Sequence, residues 1–320
     1  MKYITQLIFK AGLVLAVTIC VTVPSYAQPT TNPNQQIDLS GNWVALIHEG
    51  WQDRGWGPAL VDYLGLPLNE EARNRGVSYN ATVISLPERQ CLYYAPHYIL
   101  RGPFGLAIWP DVELTTGGIT AWRLGAKLDM GLHTIWMDDR ELPSELAPRN
   151  IGGVGYGEWI GNTLKAEFPQ MLEGQMRRNG FPLSDQSSMT LYFTRNDDLL
   201  TVVGKIRDPV YLTEPLILSR IFRRNDEIPR RTGELCTPLV EIPHLDGTGS
   251  VPHYLPGQNS SLTEFSERRG IPLETVLGGT ASMYPEFREI LEETYVRPQS
   301  CPDHCCSSIE LEALGCKVLF

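Results

Sequence analysis

From about residue 97 to 224 the chain is a series of short runs rich in Trp, Ile, Val, Thr and Tyr, separated by Gly, Asn and Asp. The separators "TTGG", "IGNT" and "RNDD" are short and polar, with Gly or Asn where a tight turn needs positive φ, so they read as hairpins. Candidate strands fall at 98–109, 119–125, 132–138, 156–161, 163–168, 189–195, 199–207 and 215–223, and 41–48 makes a ninth. Successive hairpins build an antiparallel meander, and a meander of this size closes readily because closure removes the exposed edges that invite aggregation. The expected fold is mainly β, an antiparallel meander barrel of about eight or nine strands with a C-terminal helical extension. Segments 139–155 and 169–188 are too long for tight turns and read as lids over a barrel mouth.

A Gly-x-Trp occurs twice, at 41–43 and 157–159. The first copy starts the barrel wall, with Trp43, Ala45 and Ile47 sharing one face. The second starts a hairpin after the first lid. Helices flank the meander. "LPLNEEARNRG" offers Asn69 as cap, Glu70 and Glu71 in the first turn and Gly76 as the stop. "SSLTEFSERRG" carries a capping box from Ser261 to Glu264, and "YPEFREILEETY" places Phe287, Ile290, Leu291 and Tyr295 on one face. The organisation expected is a signal peptide at 1–27, a disordered linker at 28–37 and the barrel with its lids at 38–235. A connector and helical extension occupy 236–300, and a Cys-rich tail 301–320.

The leader sets the compartment. Lys2 and Lys10 flank the start of "AGLVLAVTICVTV", and Ser25-Tyr26-Ala27 supplies small residues for cleavage before Gln28. A periplasmic or secreted protein is expected, and no later stretch is apolar for long enough to span a bilayer. The net charge of −10 grows more negative once Lys2 and Lys10 are removed. Nucleic acid is therefore excluded as a partner, since phosphate neutralisation needs a basic face. "RIFRRN" at 220–225 reads as solvated strand ends. After the leader the cysteines are Cys91, Cys236, Cys301, Cys305, Cys306 and Cys316, an even set that favours disulfides in an exported chain. A bridge between Cys91 and Cys236 would stabilise by about 4 to 5 kcal/mol in the chain-entropy model. The tail cysteines, with His304 among them, also allow zinc, copper(I) or redox chemistry, but their spacing suits none of the common metal motifs.

Recognisable catalytic motifs are missing: there is no G-x-S-x-G, no H-E-x-x-H, no P-loop and no G-x-G-x-x-G. "GGVGYG" at 152–157 lacks a following helix and Lys, and reads as a lid hinge. No metal and no cofactor is assigned. The aromatic residues point to binding. Trp109, Trp122, Trp136 and Trp159 lie on separate candidate strands, joined by Tyr98, Tyr192 and Phe193. Turned inward, Trp109, Trp136, Trp159 and Tyr192 would line a cavity for one small apolar or amphipathic molecule, with Arg101 and Arg123 as anchors for a polar end. The same aromatics could instead fill the barrel as core. His97 and His133 are the candidate acid and base of a cofactor-free isomerase, cyclase or hydrolase, with Arg101 stabilising an oxyanion. His133 and Asp138 are an odd number of residues apart and face opposite sides of a strand, which counts against them as a pair.

The blocks "DLSGNW", "GPALVDYLGLPLNEEAR", "LPERQC", "RGPFGLAIW", "HTIWMDDR", "GEWIGNTL", "RRNGFPLSD", "DPVYLTEPL", "VPHYLPGQN" and "MYPEFRE" occur in that order between about 38 and 290. Together they resemble a family of uncharacterised exported bacterial proteins. The Gly41, Asn42, Trp43 opening and the strand count are similar to lipocalin and calycin barrels, in which this Trp closes the barrel floor. The family resemblance implies histidines near the positions held here by Leu142, Arg149, Pro169, Leu183 and Tyr192, so a histidine-based activity of relatives would lose its residues in this chain. The favoured reading is a binding or carrier barrel for a small hydrophobic or amphipathic molecule. The alternatives are a cofactor-free enzyme acting inside the barrel and a structural protein with a filled barrel.

Overall fold

The computed structural model describes residues 37–46, 59–79, 96–100, 105–126, 133–149, 152–176, 179–227, 255, 258 and 261–294. The six cysteines after the leader and Arg101 lie outside the described residues, as do the leader and the linker up to residue 36.

Nine strands close into a barrel: β1 (Gly41–Ala45), β2 (Leu106–Val112), β3 (Ile119–Ala126), β4 (His133–Trp136), β5 (Val154–Ile160), β6 (Thr163–Phe168), β9 (Ser188–Asn196), β10 (Leu199–Arg207) and β11 (Leu216–Arg224). A short hairpin, β7 (Gly174–Gln175) with β8 (Pro182–Leu183), interrupts the run between β6 and β9. Around the barrel the order is β1, β11, β10, β9, β6, β5, β4, β3, β2 and back to β1. Tight turns join β5 to β6 and β9 to β10, and Gly161 and Asp197 supply the positive φ there, 58° and 51°. This is the mainly β barrel that the hairpin pattern implies. One pair departs from the meander: β4 and β5 are parallel, with Ile135 opposite Gly155. The chain between Trp136 and Val154 returns to the barrel end from which β4 started, so β5 runs in the same direction and the sheet is mixed.

The candidate strand at 98–109 is also divided. Pro96–Leu100 forms a 3₁₀ turn, and β2 begins only at Leu106. This turn packs on β10 and β11. His97 and Leu100 are fully buried and Ile99 nearly so. Gly204 makes room for it: a Cβ there would stand 2.1 Å from Leu100 Cδ1. Around this insertion the inward faces of β9, β10 and β11 alternate cleanly, burying Leu191 and Phe193, Leu200 and Val202, and Leu218 and Phe222. Trp43 on β1 is almost fully buried. Its indole N–H donates to the Leu39 carbonyl at 3.0 Å, and the Arg195 guanidinium lies 5.5 Å from its ring centroid. Arg195 is held there by donating to the carbonyls of Asp38 and Asp197.

The first helix, α1 (Glu70–Val77), starts as its sequence implies, with Asn69 Oδ1 accepting from the Ala72 N–H at 2.9 Å. Three further helices, α2 (Ser261–Arg269), α3 (Leu273–Val276) and α4 (Pro285–Thr294), form the C-terminal extension. It is stitched to the 63–66 loop by Tyr63 N–H to the Val276 carbonyl and Gly279 N–H to the Leu66 carbonyl, each 2.8 Å. On α4, Phe287 and Leu291 are half-buried while Ile290 stays exposed.

The two long connections differ. Within 139–149 most residues are exposed, Leu146 almost fully. By contrast, the described residues of 169–188 contribute Met171, Met176, Phe181 and Leu183 to the core. Buried Asn179 ties it to the 62–63 loop: its amide donates to the Asp62 carbonyl, and its own carbonyl accepts from the Tyr63 hydroxyl at 3.0 Å. Asp208 fastens the same region to the barrel. Its buried carboxylate accepts from the Ser184 N–H and hydroxyl, each at 2.7 Å, and from the Val210 N–H at 2.9 Å. Asp208→Ala leaves these donors without an acceptor and is expected to cost about 2 kcal/mol. Urea unfolding of the variant checks this, and a change below about 0.5 kcal/mol would mean the carboxylate does not hold the junction.

Candidate functional site

Strand register decides which side chains enter the barrel. In a β-sheet, paired residues share a face and successive residues alternate. Trp122 pairs with inward Ile135, Leu124 with His133, and Trp159 with inward Leu164, so Trp122, His133 and Trp159 project inward. Trp109 pairs with Arg123, Arg123 with Thr134, and Tyr192 with Lys165, all on the opposite face. The expectation that Trp109, Trp136 and Tyr192 line a cavity, with Arg123 as an anchor inside it, is therefore corrected. Of the four aromatics expected to line a cavity, Trp159 turns in, joined inside by Trp122 and Phe193. Outside, Arg123 pairs with Asp111 at 2.6 Å and donates to the Thr134 hydroxyl at 2.5 Å. Trp136 lies beneath the Arg140 guanidinium, 3.3 Å from ring centroid to Cζ. These are solvent-facing stacks in which Arg covers the apolar ring.

The interior contains polar groups that an apolar core does not need. His97 arrives on the 3₁₀ turn and His133 on β4, and both are buried. Neither ring nitrogen of His97 meets a hydrogen-bond partner among the described atoms, and the same holds for the indole N–H groups of Trp122 and Trp159. Burial lowers the His97 pKa from 6.5 to about 3, with the neighbouring His133 adding to the effect. His97 is thus a neutral imidazole at ordinary pH. The His133 Nδ1 is 2.6 Å from the Gly152 carbonyl, and because a carbonyl only accepts, that nitrogen carries a proton and donates. The two histidines expected as acid and base are brought into one interior, within electrostatic reach of each other.

Arg220 is the residue that the sequence reading missed. "RIFRRN" reads as solvated strand ends, and Arg223 is indeed exposed, yet Arg220 is fully buried. Its Nη1 donates to the Ile99 carbonyl at 3.5 Å, and its guanidinium lies 5.1 Å from the Phe222 ring centroid. A signal was present: Leu216, Leu218, Arg220 and Phe222 follow a strict two-residue period, which places Arg220 on the apolar face of β11.

No family model, curated protein or solved structure matches the chain. The chemistry of the site therefore rests on its own residues. Two indole N–H groups and a guanidinium are donors only, and neutral His97 supplies one donor and one acceptor. Such a set suits a carboxylate or a polarised carbonyl oxygen. It suits proton abstraction poorly, since a base with a pKa of about 3 has little affinity for a proton at neutral pH. Among the described residues no group of three His, Cys, Asp or Glu is placed to hold a metal ion, and no helix is long and apolar enough to cross a membrane.

Proposed function

We propose that this is a periplasmic or secreted binding or carrier protein whose barrel takes a small amphipathic molecule, its carboxylate or carbonyl end directed at Trp122, Trp159, His97 and Arg220. The observation that carries the reading is the set of buried, unpartnered nitrogens on His97, Trp122 and Trp159, all inside one barrel. Buried polar atoms without partners cost about 1 to 3 kcal/mol each, so natural interiors hold few of them unless something polar meets them. The second reading, a filled barrel with a structural role, draws its support from Leu100 packed against Gly204.

Native mass spectrometry on protein purified from its own host decides between them, followed by tryptophan fluorescence titration with straight-chain carboxylates and the matching alcohols. A carrier shows a co-purifying small molecule and binds a carboxylate about tenfold or more tightly than its alcohol, the usual worth of one charge-assisted hydrogen bond. Arg220→Met is expected to abolish that preference, and Trp122→Phe to weaken binding severalfold. A chain that carries nothing and quenches with neither series has a filled barrel. A time-dependent chemical change of the bound molecule that disappears in His133→Gln would instead establish the enzymatic alternative.

A further inference from the structure

A concave site lies outside the barrel interior, where the last turn of α1 meets the β7–β8 hairpin. With the solvent at its mouth it occupies about 540 Å³. Arg75 and Tyr79 come from the end of α1 and the residues after it, Glu173 and Gln175 from the hairpin, and Tyr211 from the β10–β11 connection. Gly180, with φ 83°, lies directly under the Tyr79 ring: a Cβ there would be 2.5 Å from Tyr79 Cβ and Cγ. The absence of a side chain at this position lets hairpin and ring pack closely, so the wall is set by backbone geometry.

The charges are arranged unusually for a surface cleft. Burial raises the Tyr211 phenol above its ordinary range, Arg75 lowers it, and Glu173, Asp208 and Glu71 raise it, so charges of both signs act on one hydroxyl. Yet among the described residues neither Arg75 nor Glu173 is in an ion pair. A cation and an anion that border one small cleft without neutralising each other present complementary charge to a molecule carrying both signs. Guanidinium receives a carboxylate in a forked geometry, and a carboxylate receives an ammonium. Two tyrosine rings in the same lining offer apolar contact and attract a cation at their faces.

We propose that this cleft binds a small zwitterion of the α-amino acid class, its carboxylate on Arg75 and its ammonium on Glu173, between the rings of Tyr79 and Tyr211. The site is separate from the barrel interior, and neither proposal depends on the other.

Isothermal titration calorimetry of the full chain with glycine, L-alanine, L-serine and L-proline tests it, with N-acetyl-L-alanine, L-alanine methyl ester and glucose as comparisons. At least one free amino acid is expected to bind with one-to-one stoichiometry, and capping either end to weaken binding about tenfold or more. Arg75→Gln and Glu173→Gln should each produce a similar loss. Both side chains are exposed, so unfolding temperatures should stay within about 2 °C of the parent protein. The proposal is overturned if none of the four amino acids binds, if the capped forms bind as well as the free ones, if either substitution leaves affinity unchanged, or if glucose alone is taken up.

Discussion

Replacing Leu100 by Ala is expected to destabilise the protein by about 3 kcal/mol, and replacing Gly204 by Ala by about 1 to 3 kcal/mol, with the double variant clearly less destabilised than the sum. Leu100 is fully buried, so its truncation loses apolar contact and leaves a cavity. Gly204→Ala fails for the opposite reason: the new methyl would meet Leu100 Cδ1 at 2.1 Å. Deleting that atom by Leu100→Ala removes the obstacle, so the second substitution costs less in the first background. Urea unfolding of the four proteins yields the coupling, expected at about 1 kcal/mol or more. Strict additivity would mean that the 3₁₀ turn does not lie on the inner face of β10.

Acid should weaken this protein through His97, and His97→Leu should remove much of that weakness. The folded chain holds His97 at a pKa of about 3 against an ordinary 6.5, chiefly through burial and secondly through His133. Above about pH 6.5 the side chain is neutral whether the chain is folded or not, and it adds no pH dependence. Below that, the unfolded chain takes up a proton that the folded chain refuses. Stability then falls by about 1.4 kcal/mol per pH unit until the pH approaches about 3. At about pH 5 the loss from this one group is about 2 kcal/mol. Unfolding curves stepped from about pH 7.5 to about pH 4.5 should therefore be steeper for the parent than for His97→Leu, other groups contributing equally to both. Parallel curves would show that His97 is solvated or paired with a proton acceptor.

How much of this was legible beforehand depends on the range of the interactions involved. Asn69 caps α1 because its side chain reaches an amide three residues on, and Gly161 turns the β5–β6 hairpin because two residues must reverse the chain. Those features need no distant partner, and reading along the chain finds them. The alternation in β9, β10 and β11 is local in the same sense, so strands, hairpins and a closed mainly β architecture follow from it.

The candidate site was less legible because it depends on parity. A two-residue period shows that Trp109 and Asp111 share a face, but which face meets the core is decided by pairing partners far away in the chain: Arg123 for Trp109, and Lys165 for Tyr192. One shift of register would have turned Trp109 and Tyr192 inward. Size and apolarity favoured Trp for the interior, whereas an outward Trp136 is just as stable when Arg140 lies across it. Arg220 shows the converse: its charge argued for solvent, while its place between Leu218 and Phe222 on β11 obliged it to point inward. The parallel pairing of β4 with β5 and the insertion of His97 with its 3₁₀ turn likewise depend on contacts between segments remote in sequence. By itself, then, the sequence determined the strands, the turns and the class of fold, since these depend on near neighbours. Only the tertiary structure decided which side chains share the interior, because strand register is settled by partners tens of residues apart.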